Sequence, residues 1–148
     1  MNSYFERSDV QGYIALLDGI ISRMANNSAN AKNWLMTILA AAIAIQWGKD
    51  QLVNVIFLLI PTLLFALTDM YYLGMERFFK KKEGEFIKNA REGANIEQLI
   101  YDFPKMTKLE QVINTFKSID SLSIWPFYGI IIASIIIFYL CNKSCFCM

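Results

Sequence analysis

Residues 52–82, LVNVIFLLIPTLLFALTDMYYLGMERFFKKK, leave the chain few options. The run from 52 to 67 is apolar apart from Asn54, Pro61 and Thr62. Carried on to Leu73 it is 22 residues long, and at about 1.5 Å per residue a helix of that length crosses a hydrocarbon core of roughly 30 Å. Two tyrosines and then ERFFKKK follow, an aromatic belt and a cationic stop. The pattern predicts a transmembrane helix over residues 52–73 whose C-terminal end enters the cytoplasm. A buried helix of a soluble domain is the competing reading, disfavoured by two further apolar runs.

One acid lies inside that span. Asp69 sits about one turn from its cytoplasmic end, where an ionisable group is costly unless paired or wetted. On a helical wheel Asn54, Thr62 and Asp69 fall within about 80° of one another. Such a stripe either packs on another helix through hydrogen bonds, with Asp69 snorkelling to the interface or pairing with an arginine, or meets water in an oligomer. In the second case a ring of carboxylates would favour cations.

The rest of the composition agrees with a membrane protein. Hydrophobic residues make up 55% of the chain and mean hydropathy is +0.35, against a formal charge of only +1. A soluble domain with that load would expose large apolar patches. Histidine is absent, which removes the commonest general base and metal ligand. With no base, nucleophile or metal constellation, no enzymatic activity and no cofactor are expected. Cys141, Cys145 and Cys147 lack the fourth ligand of a closed zinc site and read as incidental thiols in a small apolar tail. The N-terminus, MNSYFERSDVQ, has no cationic region followed by an apolar one, so insertion is expected to rely on internal spans.

Upstream, Val10, Tyr13, Ile14, Leu17, Ile20, Ile21 and Met24 recur at helical spacing, predicting an amphipathic helix that lies on the leaflet or on a neighbouring subunit. Its second half, NNSANAKNW, places four asparagines in eight positions. Ser22, Asn26, Asn30, Asn33 and Thr37 fall within about 80° on the wheel, a polar ribbon running into the first span at residues 33–48. The asparagines either break the helix into a loop, zip subunits together, or line a hydrated lumen at the membrane mouth. Sixteen residues are about 24 Å of helix, short for a bilayer, so the preceding helix is expected to continue into the span. The short WGKDQ turn, with Trp47 and Lys49, makes the first two spans an antiparallel hairpin.

Residues 74–121 are polar, with nine basic and eight acidic residues, too balanced for a general nucleic-acid footprint. A short helix over 96–103 should stop at Pro104, and Thr107 with Glu110 is a capping-box signature. Lys80, Lys81 and Lys82 are expected to meet anionic headgroups, or else an anionic ligand. Arg23 and Glu76, near the cytoplasmic interface on antiparallel helices, are expected to pair. The third span, residues 122–141, has Trp125, Phe127 and Tyr128 at one end, Phe138 and Tyr139 at the other, and IIIASIII between. It faces lipid or forms a gate that closes by dewetting.

Twelve of the fourteen basic residues fall in residues 1–32 and 74–121, which places both segments in the cytoplasm. The expected fold is an all-α integral membrane protein. It has a cytoplasmic amphipathic helix (1–32), three transmembrane helices (33–48, 52–73, 122–141), a helical cytoplasmic segment (74–121) and an external tail (142–148). Three spans cannot enclose a lumen alone, so a conducting form would be an oligomeric bundle around a symmetry axis.

The run ISRMANNSANAKNWLMT followed by IPTLLFALTDMYYLGMERFFKK resembles a family of small bacterial membrane proteins. The matching positions are Arg23, Asn27, Ser28, Lys32, Trp34, Pro61, Asp69, Tyr71, Tyr72, Glu76 and Arg77. Proteins of this kind resemble membrane effectors of anti-phage defence operons such as Hailong, in which a channel is held shut by a DNA oligomer from a partner nucleotidyltransferase. The resemblance implies a homo-oligomeric pore in the bacterial inner membrane that depolarises the cell when released. Its implied partners are membrane lipid, an operon-encoded nucleotidyltransferase-like protein and that protein's nucleotide or oligonucleotide signal. Arg23, Glu76, Arg77 and Lys80–Lys82 would then form the regulatory interface. The alternative is a non-conducting scaffold that recruits a cytoplasmic partner.

Overall fold

Long stretches without a helix stop dictate long helices, and 90% of the described residues are helical with none in strands. The computed structural model describes residues 7–46, 55–92, 96–101 and 103–146, with residues 46, 96, 101 and 141–146 as backbone only. Asn54, the WGKDQ turn, residue 147 and the side chains of Cys141 and Cys145 lie outside the described residues.

Helix α1, Ser8–Gln46, runs unbroken for 39 residues, about 58 Å at 1.5 Å per residue. Asp9 opens it, accepting a hydrogen bond from the Val10 amide and an ion pair from Arg7 at 2.7 Å. The asparagines do not interrupt it. Asn26, Asn30 and Asn33 are exposed, and the helix continues through all three. The reading of this segment as a loop is therefore corrected.

Helix α2, Ile56–Arg91, is 36 residues long. The apolar span expected to end at residue 73 is its first half. Nothing after Gly74 stops the helix, and the pairs Glu76–Lys80 and Lys82–Glu85 support its polar half at helical spacing. Pro61 lies inside it, and the next residue, Thr62, donates from its hydroxyl to the Leu58 carbonyl at 2.7 Å. Beyond it come α3 (Ile96–Tyr101), α4 (Lys108–Lys117), a 3-10 turn (Ser118–Asp120) and α5 (Trp125–Phe146). The capping box of α4 forms as the sequence predicts. The Glu110 amide donates to Thr107 Oγ1 at 3.3 Å and the Thr107 amide to Glu110 Oε2 at 2.9 Å.

α1 and α2 form an antiparallel hairpin closed by three apolar clusters. Leu35 and Leu39 meet Leu58 and Met70 at one end, where Ile124, Tyr128 and Ile135 of the α5 region join them. Leu17 and Ile21 meet Phe79 midway, and Val10 meets Phe86 and Ala90 at the far end. Among the described residues one helix, α2, is long and apolar enough to cross a membrane. A second would be the pair Lys108–Asp120 and Trp125–Leu140, which is bent by 71°. α1 does not qualify, because its apolar run is short and begins beside Lys32 and Asn33.

α4 lies against α2 at Gly74. A Cβ placed there would sit 2.9 Å from the Asn114 carbonyl oxygen, which is main chain and cannot swing aside. Gly74→Ala is accordingly expected to push α4 outward and cost about 1–3 kcal/mol. Thermal unfolding in detergent, with hydrogen exchange on residues 108–117, measures both effects. An unchanged melting point and unchanged protection would show that α4 does not need this close approach.

Candidate functional site

The apolar stripe of α1 that faces α2 contains Val10, Leu17, Ile21, Ala31, Leu35 and Leu39. Two polar side chains share that face, Ser28 and, one turn on, Lys32. α2 answers with Asp69, which is 0% exposed. Ser28 Oγ donates to Asp69 Oδ1. Lys32 Nζ stands 2.9 Å from Asp69 Oδ2. That oxygen has no partner in hydrogen-bond geometry, so its compensation is the charge of the ammonium itself.

Lys32 reaches further. Its Nζ donates to Ser123 Oγ at 2.9 Å and lies 5.9 Å from the centre of the Phe127 ring. Tyr128 donates from its hydroxyl to the Phe65 carbonyl at 3.2 Å. One cation thus ties α1, α2 and the entrance to α5 together, between the apolar cluster around Leu35 and Leu58 and the two clusters around Phe79 and Phe86. The pair is electrically neutral and its acid is sealed from solvent, which suits a positional lock between the helices.

This geometry corrects several expectations. Thr62 and Asp69 are both fully buried in the α1–α2 seam, so they form no open wall and no ring of water-facing carboxylates. Asn54, the third member of their stripe, lies outside the described residues. Arg23 is exposed and pairs with neither Glu76 nor Asp69, because Glu76 binds Lys80 at 2.5 Å and Asp69 binds Lys32. Lys81 and Lys82 approach Glu85 at 3.9 and 2.8 Å, so much of the basic run is matched within its own helix. Arg77 makes no ion pair among the described residues and donates to the Lys117 carbonyl at 3.4 Å.

The ribbon fares differently. Ser22, Asn26, Asn30, Asn33 and Thr37 are all exposed, on the side of α1 roughly opposite the seam. Thr37 turns its hydroxyl back to the Asn33 carbonyl at 3.0 Å. The two polar stripes therefore face different ways, one sealed between helices and the other open. Ser28 and Lys32 were the functional side chains that periodicity alone left out. The signal for them is two polar residues placed on an otherwise apolar helical stripe.

In the polar half of the hairpin, Glu83 lies beside Asp18. Burial raises the Glu83 carboxyl above its ordinary range, the neighbouring Asp18 carboxyl raises it further, and Lys80 opposes both. The folded state holds this proton more tightly than the unfolded chain, so the hairpin loses stability as pH rises from about 4.5 through the raised value. Glu83→Gln is expected to raise the melting point at pH 7 and flatten its dependence on acid. Melting curves across pH in detergent measure this, and a lower melting point for the variant at pH 7 would contradict it. No family model, curated protein or solved structure matches this chain.

Proposed function

We propose that the chain is the subunit of an oligomeric membrane pore, with α1, α2 and α5 each contributing a membrane-crossing segment and the N-terminus in the cytoplasm. The observation that carries this reading is an apolar belt that the subunit itself leaves uncovered. Trp34, Ile45, Phe57, Leu64, Ile130 and Ile137 are exposed, from all three helices. Only 28% of the apolar stretch of α2 is buried within the subunit, where the core helix of a soluble protein would be mostly covered.

The open asparagine ribbon runs into the edge of that belt at Asn33, where it is out of place against lipid, since an unpaired amide in hydrocarbon costs several kcal/mol, about 2–7 in transfer terms. Facing other copies around an axis, the same ribbon would be satisfied by water or by asparagine on its neighbour. The effector role in a bacterial inner membrane, released by a cytoplasmic signal, is an extension of this reading from the motif resemblance. α1 and α2 both run without interruption from the cytoplasmic clusters into the apolar belt, so a signal bound outside the membrane can bias the helices inside it.

Ion flux from liposomes containing the purified protein tests the proposal. Flux is expected, and its absence from an inserted oligomer would leave the scaffold reading. That second reading has its own support in a cleft of about 390 Å³ at the cytoplasmic end of the hairpin, lined in part by Tyr13, Phe86, Leu99 and Phe103. A partner side chain could enter there.

A further inference from the structure

Helix α4 is built inside out for a protein in water. Leu109, Val112, Ile113 and Phe116 lie within about 100° on its wheel, and all four are exposed, Leu109 at 70% and Phe116 at 59%. The opposite, polar face is the one turned to α2. The Asn114 main chain abuts Gly74, and Ser118 just beyond is fully buried. Lys108 and Lys117 flank the apolar stripe on either side, the positions from which lysines snorkel at a membrane surface.

The position of α4 singles out lipid as what covers this stripe. Its contact with α2 is at Gly74, directly after Tyr71 and Tyr72 at the end of the apolar stretch. It meets the apolar α5 through a bend of 71°, so when α5 crosses a bilayer α4 lies nearly in its surface. Behind the stripe, between α2 and α4, is a cleft of about 480 Å³ lined by Arg77, Lys81, Lys82, Lys117 and Glu110, with Phe78 and Ile113. Arg77 and Lys117 have no carboxylate partner among the described residues, and the Glu110 carboxylate is committed to Thr107. The cleft is left with an excess of positive charge at headgroup depth.

We propose that α4 is a membrane-surface helix whose apolar stripe enters the cytoplasmic leaflet, and that the cationic cleft behind it takes the phosphate of an anionic phospholipid. The proposal rests on the membrane reading above and adds to it a lipid site. The full chain, with Cys141, Cys145 and Cys147 replaced by serine, is placed in vesicles of phosphatidylcholine and phosphatidylglycerol. Spin labels are attached singly through Val112→Cys, Phe116→Cys and, as reference on the span, Leu64→Cys. Labels at 112 and 116 are expected to collide several-fold more with oxygen than with a water-soluble nickel chelate.

If those two labels favour the chelate while the label at 64 favours oxygen, the α4 proposal fails and the membrane reading stands. Chelate preference at all three removes both. Labels at 112 and 116 shielded from both reagents would mean that a second copy or another protein covers the stripe, which also overturns the proposal. For the cleft, native mass spectrometry of the detergent-extracted protein is expected to show phosphatidylglycerol retained by the wild type and lost from Arg77→Gln/Lys117→Gln. Equal retention overturns the headgroup site, and displacement of the lipid by equimolar inorganic phosphate assigns the cleft to free phosphate instead.

Discussion

Lys32→Met is expected to destabilise the protein by about 3–5 kcal/mol, because it strands the Asp69 carboxylate in a seam that excludes water. Asp69 is fully buried and Lys32 supplies its counter-charge at 2.9 Å. Ser28 would remain as a donor to the other oxygen, but one hydroxyl does not replace an ammonium. Asp69→Leu alone should cost a similar amount by leaving the cation half-enclosed beside Phe127. Lys32→Met combined with Asp69→Leu removes both charges and should recover most of the loss, since a buried pair replaced by apolar residues of similar volume is often close to neutral. Ser28→Ala is expected to cost less, about 1–3 kcal/mol. Unfolding by denaturing detergent, read by circular dichroism, closes the double-mutant cycle. If the two single losses simply added in the double variant, the ion pair would carry no coupling and the seam would be held by packing alone.

Much of this architecture is legible in the residue pattern, and the reason differs by element. The capping box of α4 is local, requiring only Thr107 and Glu110 three residues apart, and local chemistry decides it. The antiparallel hairpin follows from two long periodic runs with a short turn signal between them. The partner of Asp69 was harder, because it depends on how far two helices slide past one another. The residue pattern offers Asp69 either the interface or an arginine, and it pairs Arg23, the arginine on α1, with Glu76. Yet Arg23 projects about 120° away from the face of α1 that carries Leu17 and Leu35, and an ion pair across the seam needs a residue on that face. Lys32 meets that condition. The wheel of α2 likewise showed that Thr62 and Asp69 share a stripe, but no single-helix wheel says whether a stripe meets a neighbour or water. The apolar face of α1 holds the answer, since it must be covered by α2 and therefore turns the asparagine ribbon outward. The inverted packing of α4 has no counterpart in periodicity at all. It arises from Gly74, whose missing side chain lets the polar face of α4 come against α2.

On the pore proposal, Asn30→Leu together with Asn33→Leu is expected to reduce ion flux about tenfold or more, with little effect on the folded subunit, because hydrophobic side chains at a hydrated pore mouth would close it by dewetting. Both asparagines are exposed and lie away from the α2 seam, so the change to subunit stability should stay within about 0.5 kcal/mol. Oligomer size decides what the ribbon does. If it lines water, the double variant keeps its oligomer and loses conductance. If it instead zips copies together through amide hydrogen bonds, each worth about 0.6–2 kcal/mol in a membrane, the variant dissociates and loses conductance for that reason. Restoring flux with Asn30→Ser and Asn33→Ser separates the two further, since a short hydroxyl keeps a wall wet but reaches less far across a helix interface than an amide. Should Asn30→Leu/Asn33→Leu conduct like the wild type in an oligomer of the same size, the ribbon is no part of the conduction path. The wall would then have to be sought on α5, where Ser134 is the polar exception within IIIASIII and is exposed on the subunit surface.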